Sequence, residues 1–334
     1  MGAMTRRGQT EYAISADGLS RRFGSFTAVD GIELRVSRGE IFGLLGANGA
    51  GKSTTIRMLC GLLRPTAGHG RVAGHDIEAA PDRIKERIGY MSQEFSLYHD
   101  LTVAENIRFF GGVYGLGRGR LEQRLEWAVD MAGLAGREDE LAGSLSGGFR
   151  QRLALGCAIL HDPEVVFLDE PTGGVDPAAR RDFWHLINGL SAQGTTILVT
   201  THYLDEAEYC QEISLMHAGS IVESGTPTEL KARHPHAARR GTEAGPRSQP
   251  EIGPEAGAGT ESEKTSEKTS GETPGAATGA GTVTGTGASA STPAFTPAST
   301  PASTPAFTPA STPASTVPTL EEVFVSVVEE RNTR

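Results

Sequence analysis

The chain has 334 residues and a formal net charge of -10. From His236 onward seven Lys and Arg stand against eleven Asp and Glu, which puts -4 there and -6 in the remainder, so neither part offers the basic surface that nucleic-acid binding uses and that class of partner is disfavoured. Cys60, Cys157 and Cys210 show no C-x-x-C spacing, which argues against zinc or a disulfide framework, and no run approaches the roughly 18 apolar residues of a membrane span.

In chain order, residues 1–11 read as a flexible polar start. Short alternating segments over 12–40, broken by Gly24, Gly31 and Gly39, predict a small antiparallel sheet feeding an apolar strand at 41–45. Phe23 sits just before a turn, either as hairpin core or as an aromatic platform for a nucleotide base. Gly46-Ala47-Asn48-Gly49-Ala50-Gly51-Lys52-Ser53-Thr54 then matches G-x-x-x-x-G-K-[ST] between that strand and a helix predicted over 53–63, with Pro65 as its stop. Such a loop binds phosphates. Its glycines let backbone N–H groups converge, the helix presents its positive end, Lys52 adds a full charge, and Ser53 offers a hydroxyl to Mg²⁺.

Residues 70–77 predict edge sheet, 82–87 one or two helical turns, and 88–91 a strand with Gln93 directly behind it. The pattern over 101–134 is helical: Val103, Ile107 and Phe110 share one face, and Leu121, Leu125, Ala128 and Ala132 another. Glycines at 115, 117 and 119 part the two, so a helical insertion is expected between sheet elements. Ser146, Gly147 and Gly148 open an apolar helix predicted to run to residue 160, a second anion-binding arrangement.

The wholly apolar run 165–168 reads as a buried parallel strand delivering Asp169 and Glu170 at its end, where two carboxylates need a cation or donors. Asp176 and Pro177 predict the cap and first turn of a helix with Phe183, Leu186, Ile187 and Leu190 facing inward. Residues 195–201 return to strand and end at His202, and 213–222 form a closing hairpin. Strand ends at Leu45, Leu168 and Thr201 thus bring a phosphate loop, carboxylates and a histidine to one edge of an α/β sheet, the edge at which open sheets bind ligands.

This ordered set resembles the ATP-binding cassette (ABC) ATPases over roughly 12–230, most specifically in Leu145-Ser146-Gly147-Gly148. The resemblance implies a P-loop NTPase, RecA-like α/β core with a small antiparallel β subdomain and an inserted helical subdomain at about 95–160. It implies ATP and Mg²⁺ as bound groups, residues 46–54 as the Walker A loop, Asp169 as the Walker B carboxylate on Mg²⁺, and Glu170 as the general base that orients water. By the same resemblance Gln93 senses Mg²⁺ and the γ-phosphate, His202 is the switch histidine, Phe23 stacks on the base, and Asp176 lies in the D-loop. Phe149 stands where many members have Gln, and Gly173 where Ser is common. The family works as a head-to-tail dimer in which Ser146, Gly147 and Gly148 of one copy complete the site on Lys52 of the other, and it drives a membrane subunit whose coupling helix is received at 95–107. The runs 93–98 and 201–208 look most like ABC-2 type drug and multidrug exporter ATPases. That implies a homodimer, a separate polytopic permease, and a place at the cytoplasmic face of the membrane. The rivals are a soluble regulatory or assembly ATPase and an exporter of polysaccharide or lipid.

From 236 to 316 the chain is poor in large apolar residues and ends in two copies of Ser-Thr-Pro-Ala-Phe-Thr-Pro-Ala-Ser-Thr-Pro-Ala, at 291–302 and 303–314. This composition predicts an extended spacer. Thr319 and Glu322 then make a capping box before a stripe of Leu320, Val323, Phe324, Val327 and Val328, so 317–334 reads as an amphipathic docking helix.

Overall fold

A computed structural model describes residues 12–93, 97–235 and 317–332. The polar start at 1–11, residues 94–96, which include the first two of the 95–107 segment expected to receive a coupling helix, and the spacer at 236–316 lie outside the described residues.

Two sheets organise the fold. In the first, β1 (Tyr12–Phe23) pairs antiparallel with β2 (Phe26–Ser37) and with β4 (Ala67–Val72), and β5 (His75–Asp76) closes the edge. In the second the order is β10-β9-β3-β8-β7-β6, built from β3 (Ile41–Leu45), β6 (Ile88–Met91), β7 (Val165–Asp169), β8 (Thr196–Thr201), β9 (Glu212–His217) and β10 (Ser220–Gly225). All of these run parallel except β10, which forms a hairpin with β9. Every residue of β3, β7 and β8 is buried. Layers cover both faces of these strands, which is why their sequences are continuous apolar runs and not alternating ones.

The helices are α1 (Lys52–Leu59), α2 (Pro81–Lys85), α3 (Val103–Val113), α4 (Arg118–Ala132), α5 (Gly147–Ala158), α6 (Pro177–Ala192), α7 (Pro227–Arg233) and α8 (Leu320–Asn332). Helix α1 ends at Leu59, short of the predicted residue 63. Gly61 turns left-handed at φ 67°, and the N–H groups of Leu62 and Leu63 fold back to the Arg57 carbonyl, so glycine ends the helix before Pro65 can. In α6 the buried side chains are Phe183, Trp184 and Ile187, and Leu186 and Leu190 are only half-buried. A reading by apolar spacing alone left out Trp184, whose ring stacks on Tyr209 at 4.9 Å.

The helical insertion is held at its entry by Asn106, fully buried on α3. Its amide donates to the carbonyls of Tyr98, Leu101 and Thr102 and accepts from the Tyr98 N–H. Thr102 and Glu105 cap α3 reciprocally. No described helix is long and apolar enough to cross a membrane.

Helix α8 bears out the capping box: the Glu322 N–H reaches Thr319 Oγ1 at 3.2 Å and the Thr319 N–H reaches Glu322 Oε2 at 2.8 Å. Leu320, Val323 and Val327 are buried in the same core as Leu230 of α7, with Phe324 packed at its margin. Val323 is 0% exposed. Val323→Asp would place an unpaired carboxylate there, and a loss of about 3 kcal/mol or more is expected. Thermal unfolding and limited proteolysis across α8 report it, and Phe324→Asp is expected to cost less because its ring is only half-buried.

Candidate functional site

The loop after β3 is shaped by close backbone contact. Gly49 and Gly51 adopt φ of 81° and 109°, and a Cβ on Gly51 would lie 2.5 Å from the Ala28 carbonyl oxygen. A Cβ on Gly46 would lie 2.2 Å from that of Met216. Asn48 and Ala50 complete the turn into α1, whose first residue is Lys52, whose first turn holds Thr54, and whose start has no side-chain cap. Its N-terminal N–H groups therefore remain an anion-binding end. Gly51→Ala is strained twice over, by φ and by the carbonyl, and is expected to lower nucleotide affinity at least about tenfold; a fluorescent ATP analogue measures it directly.

Behind the loop four elements deliver polar side chains to one point. Lys52 is almost wholly buried, and its Nζ donates to the carbonyls of Gly46 at 2.8 Å and Ala47 at 3.1 Å. The same Nζ lies 3.1 Å from Glu170 Oε1. Glu170 Oε2 is met by His202 Nδ1 at 3.0 Å and by Gln93 Nε2 at 3.3 Å. A carboxylate only accepts, so Nδ1 of His202 carries the proton in this contact. Three donors from three segments thus compensate one buried carboxylate.

Glu170 also has φ of 48°, a left-handed conformation rare outside glycine. Its N–H donates to both the carbonyl and the hydroxyl of Thr200, at 3.1 and 3.0 Å, which holds the strained residue in place. The Thr200 hydroxyl in turn donates to Asp169 Oδ1 at 2.7 Å, and Ser53 Oγ donates to that same oxygen at 3.0 Å. Ser53 and Asp169 form a hard-oxygen pair suited to Mg²⁺, an ion that takes one or two protein oxygens and fills its remaining positions with water and phosphate. Among the described residues no group of three or more His, Cys, Asp or Glu gathers as an all-protein metal cage, in keeping with that donor set.

The remaining sequence-predicted residues stand apart from this cluster. Ser146 is the exposed N-cap of α5 and makes no capping bond, so its hydroxyl is not used by its own helix. Gly147 is open, whereas Gly148 is buried with a would-be Cβ 2.6 Å from the Ala179 methyl, so glycine here sets how closely α5 packs on α6. The Asp176 carboxylate caps α6, accepting from the N–H groups of Ala178 and Ala179 at 3.0 Å each. Those bonds hold its carboxyl below the usual range. Phe23 is 46% exposed at the end of β1, beside the exposed Phe26, with the Arg21 guanidinium 4.5 Å over its ring. Phe149 has a local reason: the guanidinium groups of Arg137 and Arg152 each lie 4.5 Å from its ring.

Thr200 and Gln151 are among the polar residues whose roles the sequence does not reveal. Thr200 looks like any β-branched strand residue until β8 is known to lie beside β7, where it faces Asp169. Gln151 is fully buried in α5 and donates to the Pro171 carbonyl at 2.8 Å, tying the Ser146 helix to the turn after Glu170.

Comparison with known proteins agrees with this geometry. Residues 29–173 match the family model described as ABC transporter. The probable multidrug ABC transporter ATP-binding protein YbhF of Escherichia coli (strain K12) is 50% identical over 224 residues, which are 67% of this chain and 39% of that protein. The chain thus spans about two-fifths of the length of that relative. The daunorubicin/doxorubicin resistance ATP-binding protein DrrA of Streptomyces peucetius is 42% identical over 67% of this chain and 68% of its own length. The Nod factor export ATP-binding protein I of Ralstonia nicotianae is 41% identical over 65% and 68%. Among solved structures, an ATP-binding subunit of an ABC transporter superposes with a TM-score of 0.60 at 31% identity, covering 66% of this chain and 92% of that one. CbiO1 of Clostridium perfringens gives 0.62 at 27% identity, over 71% and 97%. A phosphate loop, paired strand-end carboxylates and a histidine on one sheet edge, in a chain with these relatives, place it in the ATP-binding cassette family of P-loop proteins, among the ATP-binding proteins of ABC transporters.

Proposed function

We propose that the chain is the ATP-hydrolysing motor of an ABC-2 type exporter of drugs or other hydrophobic compounds, working on a separate polytopic membrane subunit at the cytoplasmic face of the membrane. The observation that carries the catalytic part is the convergence of Lys52, Gln93 and His202 on Glu170 beside the Ser53–Asp169 pair. The names of the relatives, multidrug and daunorubicin resistance proteins, support the choice of cargo. Export of a polysaccharide or lipid is the second cargo reading, and the relatives named for Nod factor export are what keeps it in view. A soluble regulatory ATPase has no counterpart among the relatives named here.

In this reading Lys52 and the N–H groups of residues 49–54 bind the triphosphate, and the exposed ring of Phe23 stacks on the base. Ser53 and Asp169, with Gln93, would hold Mg²⁺, which when bound neutralises charge on the phosphate oxygens. Glu170 orients the attacking water and takes its proton. His202 fixes the orientation of Glu170 through Nδ1. Phosphate charge competes for Lys52, so ATP binding draws the lysine from Glu170 and frees the carboxylate for the water.

Ser146, Gly147 and Gly148 complete the site of a second copy, with Asp176 near the joint, so that two ATPs close a homodimer. Hydrolysis removes the differential affinity for the closed state and the pair opens. Light scattering on purified Glu170→Gln protein tests this: ATP is expected to produce a dimer, and a strictly monomeric protein would overturn the homodimer reading. Deleting residues 245–312 is expected to leave ATPase activity within about twofold, because a stretch so poor in large apolar residues has little to add to a core; a larger loss in a steady-state assay would contradict the spacer reading.

A further inference from the structure

The segment following His202 contains a buried charge that the mechanism above leaves without a task. Glu206 is 0% exposed, in a one-turn 3-10 helix spanning Glu206–Tyr209. Its Oε1 accepts from the hydroxyl of Thr172, itself 1% exposed, and lies 3.4 Å from Arg180 Nε on α6. Thr172 stands two residues after Glu170 on the turn that leads to Asp176, and that turn is closed by the bonds from Gly173 N–H to the Glu170 carbonyl and from Val175 N–H to the Thr172 carbonyl. Arg180 also lies 4.1 Å over the ring of Tyr203, which packs on the His202 ring at 4.1 Å.

We propose that Glu206 is a positioning residue for ATP hydrolysis: by joining Thr172 to the His202 segment through one carboxylate, it sets the spacing of His202 and Glu170. The inference rests on the reading of Glu170 and His202 given above. The geometry gives the carboxylate no better use. Glu170 and His202 lie on different strand ends, β7 and β8, and each continues into an irregular turn. Beside the direct Glu170–His202 contact, Glu206 bonds one turn to the other, while the Trp184–Tyr209 stack fastens the same segment to α6.

As a stability device it is poorly made. Among the described residues neither Glu206 Oε2 nor Arg180 Nε, both buried, has a hydrogen-bond partner. Burial pushes the carboxyl above its ordinary range, against the pull of the Thr172 and Thr201 hydroxyls and Arg180. If Glu206 were replaced, Arg180 would keep Asp205, 3.6 Å away.

Full-length protein with Glu206→Leu, Thr172→Val and Thr172→Ser separates these roles. ATP binding by a fluorescent analogue, kcat and KM for ATP, and Tm are measured on each. Glu206→Leu and Thr172→Val are expected to lower kcat about tenfold or more with KM within about twofold of the parent, and Thr172→Val, which keeps the Glu206–Arg180 pair, is expected to do so with a smaller fall in Tm than Glu206→Leu. Thr172→Ser keeps the hydroxyl and is expected to restore kcat. The double variant is expected to be no slower than the worse single one, since both cut one bond. Unchanged kcat in both apolar variants overturns the proposal, as does a fall in kcat that tracks Tm and is not rescued by Ser. Absence of hydrolysis in the parent protein, with ATP still bound, would instead strike the motor reading itself.

Discussion

Glu170→Gln is expected to slow ATP hydrolysis at least about 100-fold, some 2.7 kcal/mol of barrier, while leaving ATP bound. The amide matches the carboxylate in shape, so the left-handed turn and the two bonds from its N–H to Thr200 stay as they are. What is lost is the group that accepts a proton. The ion pair with Lys52, at 3.1 Å, is lost as well, and the lysine is then wholly available to phosphate. Slower turnover and undiminished or tighter ATP binding should therefore appear together. A variant that hydrolyses within a few fold of the parent would show that Glu170 is not the base, and a variant that binds ATP poorly would show that its charge holds the loop open.

Lys52→Met is expected to weaken ATP binding about 100-fold or more, roughly 2.7 kcal/mol, and also to destabilise the fold. The second effect follows from burial. Lys52 and Glu170 are 3% and 8% exposed at the side chain. Removing one member of a buried pair strands the other, at a cost of about 3–5 kcal/mol, and the donors left on Glu170, Gln93 and His202, place this case near the lower end. Adding Glu170→Gln to Lys52→Met is then expected to return most of the lost stability, because an amide needs no cation. Thermal unfolding of the two singles and the double decides it. A double variant no more stable than Lys52→Met would mean that the lysine acts through the Gly46 and Ala47 carbonyls and not through the ion pair.

Much of this site could be read from residue order because buried parallel strands and glycine loops leave strong local marks. Ile41 to Leu45 and Val165 to Leu168 are apolar throughout, each followed at once by its functional residues. Gly46 and Gly51 are required by contacts a Cβ would violate and Gly49 by its left-handed φ of 81°, which is why the motif is so legible. Strand order is a different matter. Nothing in the sequence says that β8 lies between β3 and β7, so the contact of Thr200 with Asp169 could not be foreseen. The early end of α1 was hidden because Leu63 continues an apolar spacing that Gly61 has already broken. Trp184 was passed over for the same kind of reason, since its partner Tyr209 is supplied by a segment distant in sequence. Glu206 shows the limit most clearly: amid the acidic run 205–208 it looks like surface, and only the packing of Thr172 and Arg180 reveals it as buried.

Co-purification of the tagged chain from membranes, as the parent and as Glu170→Gln, with the ATPase rate measured before and after its partner is removed, tests the transporter reading most directly. A stoichiometric polytopic protein that changes the rate is the expected result. A soluble ATPase that carries no membrane partner in either form, and whose rate is the same alone, would contradict it.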